Sequence, residues 1–117
     1  MDNWLLGMFN IDDEIERFPP GDTAAGRRAE TLIKADGLRV VLVTMLAGIT
    51  LHEHTAPGPI TIHALRGRFV VNFESQEREL GPGDLVSLTS GARHAVSTIE
   101  DGAFLLTIGW GPTVDKK

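Results

Sequence analysis

The chain has 117 residues, 11 of them Lys or Arg and 16 Asp or Glu, so its formal charge is 11 − 16 = −5. That length supports one hydrophobic core and leaves no room for a second, and residues 1–117 are read as a single domain. The basic residues are scattered, which argues against nucleic acid as a partner, and the absence of cysteine excludes disulfides and thiolate metal sites and suits a cytoplasmic, reducing environment.

Met1-Asp2-Asn3 lacks the basic start of an export signal, and the apolar stretch from Trp4 to Phe9 falls far short of the roughly 20 residues of a membrane span. Neither export nor a membrane is expected. Trp4, Leu5, Leu6, Met8 and Phe9 form a dense apolar cluster ahead of the first strand, which predicts a homodimer held partly by this arm; the alternative is that the arm folds back over its own barrel. Ile11 to Phe18 is the one helical candidate: Ile11, Ile15 and Phe18 share a face, Asn10 can cap, Asp12, Asp13 and Glu14 suit the first turn, and Pro19-Pro20 stops it. Arm and helix occupy residues 1–20.

Beyond that point thirteen glycines and six prolines punctuate short runs of Val, Ile, Leu and Thr, the pattern of an all-β antiparallel sandwich or barrel over residues 29–110. Strands are predicted at Ala29 to Lys34, Leu38 to Leu46, Ile49 to His54, Ile60 to Leu65, Phe69 to Glu74, Arg78 to Leu80, Leu85 to Leu88, His94 to Ile99 and Phe104 to Trp110. Turns are assigned to Asp36-Gly37, Arg66-Gly67, Gly81 to Asp84, Ser90-Gly91 and Asp101-Gly102.

The chemistry-bearing residues are histidines. Positions i and i+2 of a strand share a face, so His52 and His54 project together and Glu53 points away. By itself such a pair is equally read as polar decoration of a barrel mouth. His63 lies opposite the more apolar face made by Ile60, Ile62 and Ala64, and only a bulge would turn it inward. Arg66, Arg68 and Arg93 are read as solvated charges beside turns. Ser87 and Ser90 have no acid placed to orient His94 as a base, and Gly81 to Asp84 lacks the lysine and helix of a phosphate loop.

The segment Gly48 to Thr98 resembles the cupin superfamily, small jelly-roll β-barrels that carry the motifs G-x5-H-x-H-x3,4-E-x6-G and G-x5-P-x-G-x2-H-x3-N. His52-Glu53-His54 and Gly67 match the first motif, with Gly48 closer to His52 than the motif asks. Gly83, Gly91 and His94 match the second, with Thr89 and Thr98 in place of its proline and asparagine. The resemblance implies an antiparallel jelly-roll barrel with a short N-terminal helix, and His94 brought beside the His52/His54 pair inside it. Ile60 stands where the family carries its carboxylate ligand, so the implied site holds three histidines, His52, His54 and His94. Three imidazoles can hold a divalent transition metal such as Zn²⁺, Fe²⁺, Ni²⁺, Cu²⁺ or Mn²⁺ and leave positions for water or substrate.

Two classes of function follow. One is a metalloenzyme acting on a small organic substrate by dioxygenase, isomerase or hydrolase chemistry. The other is a non-catalytic barrel or sensor that binds a small ligand, with or without metal, its lining drawn from Met45, Ile49, Ile60, Ile62, Leu88 and Val96. That list fits a packed core equally well. The chain has no tyrosine and offers no obvious inward acid for acid–base catalysis.

Overall fold

The computed structural model describes residues 4–110; of Asp22, Glu53 and His54 only the backbone is described. Helix α1 spans Ile11–Arg17, capped by the Asn10 side chain, which accepts from the Asp13 N–H at 3.0 Å, with Asp12, Asp13 and Glu14 against the positive end of the helix dipole. Glu14 is buried and paired with Arg17 at 3.4 Å. Phe18 ends the helix, and a single 3₁₀ turn at Pro20–Asp22 leads to the first strand. Phe18 anchors the segment: its carbonyl accepts from Thr44 Oγ1 at 2.8 Å, and the guanidinium groups of Arg17 and Arg28 lie 5.4 and 5.0 Å from its ring centroid. The residues ahead of α1 do not fold back onto the barrel, since Trp4 and Met8 are 88% and 86% exposed.

Among the described residues seven antiparallel strands follow: β1 Arg27–Ala35, β2 Leu38–Met45, β3 Thr50–His54, β4 Ile60–Phe73, β5 Gln76–Leu80, β6 Leu85–Leu88 and β7 His94–Gly109. Their order is β1-β2-β7-β4-β5, with β3 also on β7 and β6 also on β4. Strands β4 and β7 run side by side along their whole length and each belongs to two layers. The first half of β4 pairs β6 and the second half pairs β5, while the first half of β7 pairs β3 and the second half pairs β2. The result is the jelly roll.

Two expected turns are corrected here. Arg66-Gly67 and Asp101-Gly102 do not reverse the chain; they are the bends at which β4 and β7 pass from one layer to the other, marked by register shifts between Ala64 and Phe69. Gly67 has φ 78°, and a side chain there would run into the carbonyls of Glu100 and Asp101. The turn-like dipeptides therefore mark a place where two backbones cross too closely for a Cβ.

Between the layers lies one apolar core. Val43, Met45, Ile60, Ile62, Ala64, Leu88 and Phe104 come from one layer, and Phe69, Val71, Leu80 and Val96 from the other. Phe69 and Phe104 meet across it edge to face, with centroids 5.3 Å apart and planes at 86°. The residues considered as a ligand lining are in this core or packed against it. On the outer side α1 and the 3₁₀ turn pack on β2, whose second half is accordingly buried on both faces, Val43 and Met45 inward and Leu42 and Thr44 outward. Among the described residues no helix is long and apolar enough to cross a membrane.

Candidate metal and ligand site at one end of the barrel

Three connections gather at one end of the barrel: residues 55–59 between β3 and β4, 74–75 between β4 and β5, and 89–93 between β6 and β7. They are tied to one another. Gly91 N donates to Ala56 O at 3.2 Å, Ser90 Oγ to Pro57 O at 3.1 Å, and Arg93 N to the Glu74 carboxylate at 3.0 Å, while Glu74 N donates back to Arg93 O at 3.2 Å. Gly58 is buried against the backbone of Gly109, where any Cβ would overlap the carbonyl, and Gly109 N donates to Pro59 O at 3.0 Å. The end of the barrel is thus held by backbone contacts that small residues permit.

His94 opens β7 directly beneath these loops. It is buried, 3% exposed, and its Nδ1 lies 3.1 Å from Ala92 O. A carbonyl can only accept, so Nδ1 carries the proton, and in the neutral ring Nε2 holds the lone pair. That is the arrangement in which a ligating imidazole is oriented by a backbone oxygen.

The register of the sheet defines what shares this level of the barrel. Gln76 pairs Phe73, Phe73 pairs His94, and His94 pairs His54, a single row across β5, β4, β7 and β3. The next row inward is Arg78, Val71, Val96 and Leu51, in which Val71 and Val96 are core residues. Cross-strand partners lie on one face of a sheet, so these rows belong to the inner face.

The sequence-predicted ligands are distributed as follows. His54 stands opposite His94 in the register, and its side chain lies outside the described ones. His52 is exposed. Between Leu51, opposite Val96, and His54, opposite His94, β3 carries one residue more than β7, so His52 and Glu53 together face Ala95. This bulge interrupts the alternation on which the pairing of His52 with His54 rests. His63 continues the alternation of β4, half-buried between buried Ile62 and Ala64 and paired with Leu85 and Leu105, on the outer face as expected. Ile60 is 2% exposed and part of the core. Thr98, in the motif position of asparagine, is buried and donates through Oγ1 to Ile49 O at 3.1 Å. Among the described residues no three His, Asp or Glu side chains are grouped to hold a metal ion.

Arg66 and Arg68 are solvated ion-pair partners of Asp12 and Glu79, at 3.1 and 2.7 Å, and the hydrogen bond from Arg68 to Glu79 raises the pKa of that guanidinium. Arg78 is different, because Leu80 is buried and fixes the parity of β5, which sets Arg78 and Gln76 on the inner face. The guanidinium of Arg78 lies 6.0 Å from the ring centroid of Phe73, the neighbour of His94. The signal was the alternation Gln76, Arg78, Leu80, hidden by starting the strand at Arg78.

A concavity of about 320 Å³ lies outside the barrel between α1 and the sheet, walled by Ile15, Pro19, Thr44 and Leu46 with Arg66 and Asp101 at its edge. Its two charged groups are engaged, Arg66 by Asp12 and Asp101 by the Ala47 N–H at 2.7 Å.

A curled two-layer jelly roll whose motif histidine lies buried beneath the loops at one end defines a class of small barrel proteins. The sequence pattern described as "Cupin domain" matches residues 41–109, and the chain belongs to the cupin family. No curated protein matches its sequence. Among solved structures, a cupin superfamily protein from Desulfitobacterium hafniense aligns at TM-score 0.70 and 20% identity over 73% of this chain and 78% of that one. An HTH_3 family transcriptional regulator from Vibrio cholerae aligns at 0.67 and 22% over 74% of this chain and 52% of that one. The DMSP lyase DddQ from Ruegeria pomeroyi aligns at 0.69 and 26% over 81% and 52%.

Proposed function

We propose that the protein binds a divalent transition metal at this end of the barrel, with His94 and His54 as the ligands of one row and His52, exposed on the adjoining bulge, as a third once its ring turns in over that row. The observation that carries the reading is His94: a buried imidazole whose Nδ1 is held by Ala92 O, which leaves Nε2 as the basic nitrogen. A metal bound there would supply a Lewis-acidic centre with positions open to water or a small molecule. Phe73 and the core behind it keep the inner side of the site apolar, and the tied loops at residues 55–59 and 89–93 roof it. The test is a Co²⁺ titration of the metal-stripped chain followed by visible absorption. One saturating equivalent with ligand-field bands is expected; a featureless titration contradicts the metal reading.

The second reading is a barrel that binds a small ligand without transforming it. It is favoured by the lack of any tyrosine; barrels of this shape occur both in a protein named as a lyase and in one named as a transcriptional regulator. Fold alone does not choose between them. Incubation of the metal-loaded chain with small organic acids, followed by product analysis, separates the two.

We further propose that two copies associate through their N-terminal arms. Trp4, Leu5, Leu6 and Met8 are 88%, 62%, 68% and 86% exposed and Phe9 39%, an apolar strip that a monomer leaves in water. A buried aromatic covers roughly 150–250 Å², so two arms together bring on the order of 1,000 Å², the size at which specific interfaces begin. Identical arms on two copies suit a two-fold pair. Light scattering is expected to give a dimer for the full chain and a monomer after deletion of Met1 to Phe9. A full chain that is monomeric at high concentration, or a deletion that stays dimeric, contradicts this.

A further inference from the structure

We infer that Arg78, assisted by Gln76, is the group that recognises the carboxylate of a small organic acid at the mouth of the barrel. The inference takes this end of the barrel as the ligand site, as proposed above, and adds the substrate class.

The inner face of β5 enters the mouth beside the histidine row. Gln76 lies in the row of Phe73 and His94, and Arg78 in the next row, against Val71. With neighbouring strands about 4.8 Å apart, β5 is roughly 10 Å from β7 at this level. A short organic acid can span that gap, with one end over His94 and its carboxylate at the guanidinium. Phe73 lies between the two, its ring 6.0 Å from the Arg78 guanidinium carbon. It gives the carbon chain of such a molecule an apolar surface, and it holds the cation by its π face.

The present partners of the guanidinium are also ones that a carboxylate can displace. Arg17, Arg28, Arg66 and Arg68 each pair with a carboxylate of this chain. The hydrogen bonds of Arg78 run instead to neutral acceptors, Glu77 O at 3.0 Å and Gln76 Oε1 at 3.1 Å. Both come from Nη1 and Nη2, so an arriving carboxylate would take the place of the Gln76 oxygen on the fork and free the amide of Gln76 to turn its N–H toward the ligand. A bidentate pair of this kind distinguishes a carboxylate from its amide.

The test uses malonate and malonamide as probes, titrated calorimetrically into the full chain with and without added metal. Malonate is expected to bind and malonamide to bind at least about tenfold more weakly. Arg78→Gln should weaken malonate by about tenfold or more, Arg78→Lys by less, and Arg68→Gln, on the outer face of the adjoining strand β4, should leave it unchanged. Arg78 is exposed, so these variants are expected to fold, which thermal unfolding checks. Unchanged malonate affinity in Arg78→Gln, an equal loss in Arg68→Gln, or no malonate binding by the parent chain overturns the inference. A parent chain that holds no metal yet binds malonate through Arg78 refutes the metal reading and leaves this one standing.

Discussion

Phe104→Ala lowers the free energy of unfolding by about 3–5 kcal/mol. Phe104 is 1% exposed and Phe69 0%, and their edge-to-face contact is where the two layers of the barrel meet. Removing one ring deletes apolar burial and opens a cavity that β4 and β7 cannot close, since their bends are fixed by the glycine crossing at Gly67 and Gly102. Natural domains hold only about 5–15 kcal/mol in total, so the variant sits near the edge of folding. In a cycle with Phe69→Leu the two rings should couple by about 0.5–1.5 kcal/mol. Urea denaturation reads both numbers, as a fall in midpoint at constant slope. A loss below about 1 kcal/mol would mean that the layers are not packed through these rings.

His94→Ala is expected to weaken metal binding by at least about a hundredfold. The substitution removes a buried ligand together with its hydrogen bond to Ala92 O, and no other described histidine is buried: His52 is exposed and His63 is on the outer face. His94→Gln, which keeps volume and polarity, separates loss of the ligand from damage to the core. Competition with a chromophoric chelator gives the affinities of both variants. Parent-like affinity in either would remove His94 from the site.

Much of the fold could be read from residues. Period-two alternation in Ile60, Ile62 and Ala64 placed one face inward and His63 outward, and the buried residues of β4 agree. The helix was legible from Asn10, its acids and Pro19-Pro20 because these act within a single turn of chain. Arg66-Gly67 and Asp101-Gly102 were misread because a glycine that relieves a crossing between two strands has the same local sequence as one that makes a turn. Only the partner strand distinguishes them.

The site was less legible than the fold for the same reason. Alternation predicted a shared face for His52 and His54, but the bulge that puts His52 and Glu53 opposite Ala95 depends on β7, some forty residues away. His94 is singled out by the spacing of Gly83 and Gly91, while its burial and its contact with Ala92 O depend on the loops being in place. The inward parity of Arg78 is not legible locally, because it is set by Leu80 and its neighbourhood by Phe73 on another strand.

The most direct measurement is anomalous X-ray scattering from crystals of the chain purified without chelator, recorded on both sides of the absorption edge of the metal found by elemental analysis. The account predicts one peak per chain, about 2.0–2.1 Å from Nε2 of His94 and within ligand distance of His54. No peak at this end of the barrel, or a peak bound elsewhere on the surface with His94 Nε2 uninvolved, would contradict it.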